Sequence, residues 1–327
     1  MPSLKEIVTG PGIKYLLFAG KGGLGKTTLS AITAVWLAQQ GKKVVVFSTD
    51  PQASLSDIFE RDIFGKGEIK LAENLYVLEI DADRKVSEYQ KQIRGEIVAK
   101  YGEVPEEIDE YIKGSSAQPA MSESATFDGM MDLITKGGYD YYIFDMMPHG
   151  HAIRFLSMAS LLDTWINKVV KVSEDTAEAD ERLKKLTGDR FKREIEEHAG
   201  VLGELQGIKG RLDFIADVIK GRDKTALFYV VIPETMAIRD TEVAIKEFKK
   251  FGIELSNVIV NQVHPSELLD DKDTPEFLRN RIKMQQENMK IIEDKFKNLI
   301  GAKVAMMDRE PKGLEILSNV AKMIYGE

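Results

Sequence analysis

The sequence contains no cysteine among its 327 residues. It therefore has no thiolate with which to form a disulfide, a thiolate zinc site, an iron–sulfur cluster or a cysteine nucleophile. It also lacks a long hydrophobic run, since no segment approaches the roughly 18 consecutive apolar residues of a membrane-spanning helix. The N-terminal apolar run is too short for a signal peptide, and Lys5 and Glu6 in it have opposite charges. These absences predict a cytoplasmic protein.

An excess of positive charge is also missing. Lysine and arginine number 45, aspartate and glutamate number 53, and the net charge is −8. This balance argues against a general nucleic-acid binder, which needs net or clustered positive charge. Hydrophobic residues make up 43% of the chain and charged residues 30%, so the sequence predicts a folded protein with a buried core.

Short β-branched and aromatic runs alternate with longer helical patterns along most of the chain. The runs are Tyr15–Ala19, Val44–Ser48, Leu75–Ile80, Tyr141–Asp145, Leu227–Ile232, Val258–Val263 and Lys303–Met306. Several are apolar throughout, which is typical of strands covered on both faces. Helices between such strands indicate crossover connections, so the pattern predicts an α/β fold with a mostly parallel sheet.

Two long helical stretches interrupt this alternation. We interpret them as excursions from one core, which pack together as a helical subdomain. The predicted core comprises residues 1–83, 134–153 and 222–327, and the predicted subdomain comprises 84–133 and 154–221. Methionines are frequent around the excursions, at Met121, Met130, Met131, Met146, Met147 and Met158. Methionine suits adaptable hydrophobic grooves and also fills ordinary cores, and the sequence leaves both roles open.

A phosphate loop follows the first predicted strand. Its residues Gly20-Lys21-Gly22-Gly23-Leu24-Gly25-Lys26-Thr27 match the pattern G-x-x-x-x-G-K-[ST] in full, and a helical pattern over Thr28–Gln40 comes next. Backbone N–H groups of such a loop cradle phosphate oxygens at the start of a helix. Lys26 is predicted to neutralise the β- and γ-phosphates, and the Thr27 hydroxyl to bind Mg²⁺.

Three further charged residues belong to this predicted site. Asp50 follows the predicted strand Val44–Ser48, and Asp145 ends the predicted strand Tyr141–Asp145. Both lie at the carboxyl ends of strands, where α/β proteins bind ligands, and are predicted to hold Mg²⁺ through water. Lys21 is a second lysine in the loop, which a plain phosphate loop does not need. We favour a role in which Lys21 reaches the phosphates held by a partner subunit, as an arginine finger does. The alternative is a solvated loop lysine.

Four segments together resemble the cytoplasmic ATPases of the ArsA type, a family that includes the arsenite-pump ATPase and the targeting factor for tail-anchored membrane proteins. Ala19–Thr28 resembles its deviant phosphate loop, Ser48–Asp57 its switch I (S-T-D-P-A-H-S-L-S-D), Phe144–His151 its switch II (F-D-T-A-P-T-G-H), and Val260-Asn261-Gln262 its adenine-contacting V-N-Q. The loop motif is shared with MinD, ParA and the nitrogenase iron protein. The switch segments and their spacing are typical of the ArsA type.

The resemblance implies a P-loop NTPase core of the SIMIBI class that uses ATP and Mg²⁺. In such a core Asp57 polarises the attacking water, Asn261 reads adenine through its amide, and Glu234 makes a second nucleotide contact. The segment Asp308–Gly313 packs on the base and is followed by a closing helix, Leu314–Tyr325. The residues implied to line the phosphates are Gly20, Lys21, Gly22, Gly23, Leu24, Gly25, Lys26, Thr27 and Thr28.

The resemblance also implies partners. Two copies face each other across their nucleotides, and their helical subdomains form a hydrophobic groove for the transmembrane helix of a client. The chain is thus expected to be an ATP-hydrolysing homodimer that delivers tail-anchored proteins to membranes, with a membrane receptor and no nucleic acid among its partners. The alternatives are the energising ATPase subunit of an arsenite or anion pump, and a positioning ATPase like MinD or ParA.

The sequence departs from the family pattern at the zinc clamp, in its lack of cysteine and in switch II. Members with a zinc-clamped dimer carry C-x-x-C before an R-R-K-M-Q-like run. Here Arg281–Gln285 keeps the run, but Pro275 and Leu278 replace the cysteines, so no zinc clamp is expected. The lack of thiolates also argues against arsenite as an allosteric ligand. Switch II carries Met146, Met147 and His149 where the family has Thr, Ala and Thr.

Overall fold

The computed structural model of the chain describes residues 3–48, 53–115, 119–146, 168, 207, 210, 213–214 and 217–326. The chain divides into two compact units, Met1–Ala152 with Arg222–Glu327, and Ile153–Gly221. Most of the second unit lies outside the described residues. The stretch 84–133, which the sequence analysis grouped with 154–221, belongs to the first unit. A shared function of the two stretches stays a prediction.

Eight strands in the described part of the chain form one sheet, in the order β3-β4-β2-β5-β1-β6-β7-β8. The strands are β1 Tyr15–Gly20, β2 Val44–Ser48, β3 Ile69–Ala72, β4 Leu75–Glu79, β5 Tyr141–Asp145, β6 Thr225–Val231, β7 Asn257–Val263 and β8 Ile300–Ala305. Only β3 and β4 pair antiparallel within this sheet, and the other pairings are parallel. The predicted α/β fold with a mostly parallel sheet is confirmed.

The strands that could be predicted from the sequence are the ones that are buried in the structure. Every residue of β1, β2, β5 and β6 is buried, because helices cover both faces of the sheet centre, and these strands are apolar throughout. The edge strand β3 has no fully buried residue, and it was not predicted from its short mixed sequence. Asn74 forms its turn into β4 with a φ of 61°, a left-handed conformation that asparagine tolerates.

The helices are α1 Leu4–Val8, α2 Lys26–Gln39, α3 Ser54–Phe59, α4 Ala82–Tyr101, α5 Glu106–Ser115, α6 Pro119–Lys136, α7 Thr235–Lys250, α8 Glu276–Phe296 and α9 Gly313–Tyr325. The C-terminal helix α9 packs against α2. There Tyr325 stacks on Trp36 with ring centroids 4.5 Å apart. Its hydroxyl lies 2.6 Å from Thr33 Oγ1, which itself donates to the Leu29 carbonyl, so Tyr325 is the donor. The contact fixes the chain end to the helix that starts at the phosphate loop.

The first predicted excursion is three helices. The helical pattern expected from residue 84 onward is interrupted at Gly102, which has a φ of 86° and ends α4. Asp81 caps the start of α4 by accepting a hydrogen bond from the Arg84 N–H at 2.9 Å. Tyr89 of α4 donates to Asp128 of α6 at 2.6 Å, which joins the two helices. None of the helices in the described residues is both long and apolar enough to cross a membrane.

Of the six methionines around the excursions, the three whose side chains the structure describes belong to the core. Met130 and Met131 of α6 and Met146 after β5 are all buried. These three side chains therefore favour the core-packing interpretation over an exposed groove. The side chains of Met121, Met147 and Met158 lie outside the described part of the chain.

Candidate functional site

The phosphate loop lies at the carboxyl end of β1, in the centre of the sheet. β1 is flanked by β5 on one side and β6 on the other, and the chain leaves it through α2 toward β2, beyond β5. Crossovers to opposite sides of a central strand open a crevice at its carboxyl end, where such sheets bind ligands. Gly20 ends β1, Lys21–Gly25 form the loop, and Lys26, Thr27 and Thr28 make the first turn of α2.

Gly25 sets the geometry of the loop. Its φ of 92° is left-handed, and a Cβ added there would collide with the Asn261 amide. No side chain of the described residues caps the start of α2 at Gly25. The first backbone N–H groups of α2 therefore keep their capacity to bind an anion, which the helix dipole also attracts.

Lys26 brings a positive charge into the loop. Its side chain is buried, and its Nζ donates to the Lys21 carbonyl at 3.2 Å. The ammonium is thus held inside the turn of the loop that would surround the phosphates. A buried ammonium at a helix N-terminus strongly favours a multiply charged anion over a neutral ligand.

Thr27 and Asp145 meet directly. Thr27 Oγ1 donates to Asp145 Oδ2 at 2.7 Å, and Ser48 Oγ donates to the same oxygen at 3.2 Å. Asp145 is the last residue of β5 and is only 1% exposed. Hydroxyl and carboxylate oxygens are the ligand types that Mg²⁺ prefers, so the pair fits the predicted metal role. Asp50, the other predicted carboxylate, lies outside the described residues.

Lys21 is held by its own chain. Its Nζ lies 2.8 Å from Asp240 Oδ2, in the second turn of α7, with 54% of the lysine side chain exposed and 33% of the aspartate. Asp240 also faces Tyr229, where burial first and the aspartate charge second raise the pKa of the phenol. The ion pair turns Lys21 toward α7. Its predicted action on a partner's phosphates requires that this pair open.

Asn261 and Glu234 also have partners within the chain. The buried Asn261 amide, in β7, donates to the carbonyl of loop residue Leu24 at 2.9 Å. Glu234 precedes α7 and accepts a hydrogen bond from Arg281 at 2.6 Å. The structure thus places Asn261 beside the loop. Its predicted contact with adenine stays a prediction, as does the nucleotide contact of Glu234.

Asp57 lies exposed on the short helix α3, and a buried glutamate holds the start of that helix. Glu79 Oε1 accepts the Leu55 N–H at 2.7 Å, and Oε2 accepts the Ser56 N–H at 3.1 Å and the Ser56 hydroxyl at 2.6 Å. Burial raises the pKa of Glu79, hydrogen bonds from Ser56 and Leu55 act against this, and the Asp57 charge adds to the rise.

Sequence reasoning missed Glu79, Asp240 and Arg281. A signal for Glu79 was present, because it lies next to the end of the predicted strand Leu75–Ile80, and acidic residues near strand ends were the reason for selecting Asp50 and Asp145. Asp240 and Arg281 carried no such signal. They lie inside amphipathic helices, and their partners are far away in the sequence.

The chain is similar to known proteins over nearly its whole length. A family model described as anion-transporting ATPase matches residues 13–326. The putative arsenical pump-driving ATPase 2 of Aquifex aeolicus is 31% identical over 95% of this chain and 99% of its own length. The ATPase ASNA1 homolog 2 of Paramecium tetraurelia is 28% identical over 99% and 97%. The ATPase GET3A of Arabidopsis thaliana is 28% identical over 96% of this chain and 84% of its own.

Proposed function

The chain belongs to the anion-transporting ATPase family and is an ATPase, and from this premise we propose that it is a cytoplasmic targeting factor. In this proposal two copies act as an ATP-driven dimer that shields the transmembrane segment of a tail-anchored protein and hands it to a membrane receptor. Relatives named as GET3 and ASNA1 ATPases over nearly the whole chain support it, together with the sequence resemblance described above.

The observation that carries the client-binding part is the presence of exposed apolar side chains on α4 and α5. Ile93 and Val98 of α4 and Ile108 of α5 are between 43% and 46% exposed. The two helices are joined by an ion pair between Arg94 and Asp109 at 2.7 Å, so these side chains belong to two helices in contact. Branched aliphatic side chains held open to water in this way suit an apolar helix as partner.

The residues of the loop account for the hydrolysis. Lys26 and the N–H groups of α2 bind and neutralise the phosphates, while the Thr27 hydroxyl and Asp145 fit Mg²⁺, which supplies charge stabilisation when bound. Asp57 orients a water for attack on the γ-phosphorus. The bond between that phosphorus and the β,γ-bridging oxygen breaks, and ADP and inorganic phosphate leave. As this bond breaks, the partner subunit's Lys21 stabilises the charge that develops on the leaving oxygen.

A second candidate is the energising subunit of an arsenical pump, as the name of the Aquifex aeolicus relative states for that protein. Trivalent arsenic binds most strongly to thiolates, and this chain has no cysteine. If arsenite were nevertheless the effector, ATP turnover would rise on adding arsenite to the purified protein. We expect turnover to remain unchanged.

The test of the proposed function is client retention. The full chain is co-expressed with a tagged tail-anchored protein and purified in a non-hydrolysable ATP analogue or in ADP, and retained client is measured by size-exclusion chromatography. We expect a soluble complex with the analogue and less of it with ADP. Ile93→Asp and Ile108→Asp should each lower retention at least about fivefold, since a half-exposed isoleucine loses on the order of 1 kcal/mol of burial on the client.

Met323→Asp is the matched control. Met323 lies on α9 and is 84% exposed, so the substitution also places a charge on an exposed apolar position, away from α4 and α5. Retention by this variant should equal that of the wild type. Failure to retain any client under either nucleotide, or equal losses in Met323→Asp and Ile93→Asp, would reject the targeting proposal.

A further inference from the structure

Glu79 accepts three hydrogen bonds from the start of α3, the helix that carries Asp57. Its side chain is fully buried, and both carboxylate oxygens accept hydrogen bonds from the first residues of α3. The residue at the N-cap position of α3 is Ala53, which has no side-chain acceptor. Glu79 therefore supplies the capping that α3 cannot supply for itself, and its negative charge also complements the start of the helix dipole.

The hydroxyl of Ser56 makes this anchor specific for a carboxylate. Ser56 Oγ accepts the N–H groups of Ile63 and Phe64 at 3.2 and 3.1 Å, which uses its lone pairs. Its single proton must then be donated, and Glu79 Oε2 receives it at 2.6 Å. Each oxygen of Glu79 acts only as an acceptor. A carboxamide in its place would direct an N–H group at one of these donors.

Glu79 also belongs to the edge of the sheet that carries the phosphate loop. Ser48 pairs in register with Glu79 on one side and with Asp145 on the other, so the three residues form a row across the ends of β4, β2 and β5. Neighbouring strands lie about 4.8 Å apart, and side chains in one row share a face of the sheet. Asp57 follows Ser56 directly, so an anchor at Ser56 sets the direction in which Asp57 is presented.

We propose that Glu79 is a positioning residue for ATP hydrolysis, because its carboxylate fixes the start of α3 and thereby orients Asp57 toward the attacking water. The inference rests on the proposed role of Asp57. Glu79 itself touches neither nucleotide nor water in this account. Its contribution is the geometry of Asp57, and geometric errors of about 1 Å at such a group cost on the order of a hundredfold in rate.

The test compares steady-state ATP hydrolysis by the wild type and Glu79→Gln. We expect kcat to fall about 10- to 100-fold, while KM changes less than about threefold because the loop around Lys26 is intact. Glu79→Asp keeps both acceptor oxygens on a shorter stem and should recover part of the loss. Asp81→Asn is the control, since Asp81 caps α4 two residues further along and bonds nothing in α3, and its kcat should stay unchanged.

A double-mutant cycle separates positioning from a general structural defect. Asp57→Asn should slow hydrolysis while preserving ATP binding, and adding Glu79→Gln to it should cost no further activity, since the two residues act as one unit. Additive losses, an unchanged kcat in Glu79→Gln, or equal losses in Asp81→Asn would overturn the proposal. If Glu79→Gln does not fold, Ser56→Ala provides the test. It removes only the hydroxyl that donates to Glu79, and it should also lower kcat.

The targeting proposal and the proposed role of Glu79 can be rejected independently of each other. The role of Glu79 is measured on ATP turnover alone, without a client. Client retention is measured with a non-hydrolysable analogue, where the orientation of Asp57 plays no part. Normal turnover in Asp57→Asn would remove both Asp57 and Glu79 from the mechanism and leave the targeting proposal in place.

Discussion

Replacing Asp240 by asparagine should make the proposed ATP-driven dimer form more readily. Asp240 holds Lys21 within its own chain at 2.8 Å. If Lys21 acts on the partner's phosphates, each subunit must break this pair when the dimer closes. Asparagine has nearly the same shape as aspartate and lacks the charge, so Asp240→Asn removes the attraction and leaves the packing of α7 in place.

The magnitude follows from the exposure of the pair. With 54% of the lysine side chain and 33% of the aspartate exposed, solvent screens the attraction, and such pairs contribute about 0.2–1 kcal/mol. A closed dimer opens two of them, so the variant should gain about 0.4–2 kcal/mol in the closing equilibrium. That corresponds to a dimerisation constant about 2- to 30-fold larger. At 1 M salt, where the screening length is about 3 Å, the gain should largely disappear.

Sedimentation velocity with a non-hydrolysable ATP analogue measures the dimerisation constant. Glu242→Gln is the matched control, because Glu242 lies on the same helix and forms an ion pair of similar exposure, 2.6 Å from Lys295, outside the phosphate loop. Equal dimerisation constants for Asp240→Asn and Glu242→Gln would show that the pair does not restrain Lys21. Tighter dimers of Asp240→Asn in the absence of nucleotide as well would point to general charge repulsion between subunits.

Two further outcomes are expected. Asn261→Ala leaves the Leu24 carbonyl without its partner, so the free energy of unfolding in urea should fall by about 1–3 kcal/mol, and an unchanged stability would contradict this. Tyr325→Phe removes one buried hydrogen bond to Thr33 and should lower the free energy of unfolding in urea by about 0.5–1.5 kcal/mol.

The parts that could be predicted from the sequence depend on local or periodic information. The central strands are apolar along their whole length, because both faces are covered, and the phosphate loop is contiguous and lies between a strand and a helix. Asp145 could be located because strand ends meet at one edge of a parallel sheet. The edge strand β3 could not be located in this way. It has only four residues, and because they are little buried its sequence looks like that of a loop.

The residues that bind predicted site residues or hold their helix could not be predicted from the sequence, for a different reason. The pairing of Lys21 with Asp240, and of Glu234 with Arg281, depends on which helix faces lie next to each other after folding. Periodicity places Asp240 on a polar helix face without naming its neighbour. Likewise, the donors that surround Glu79 come from a helix about two dozen residues earlier in the chain, and only the packed structure shows that the Ser56 hydroxyl donates its proton to Glu79.

The position of β5 has a consequence for how the chain folds during synthesis. β1 and β2 are consecutive in sequence, yet β5 lies between them, and it brings Asp145 to Ser48 across 97 residues. At 5–20 residues per second, a ribosome needs about 5–20 s to make the segment that fills this gap. Until then the phosphate loop stands beside an open sheet edge and lacks the acceptor of Thr27. Capture of nucleotide would thus mark the moment at which the centre of the sheet has closed, and a chain cut short before Tyr141 would fail to hold ATP.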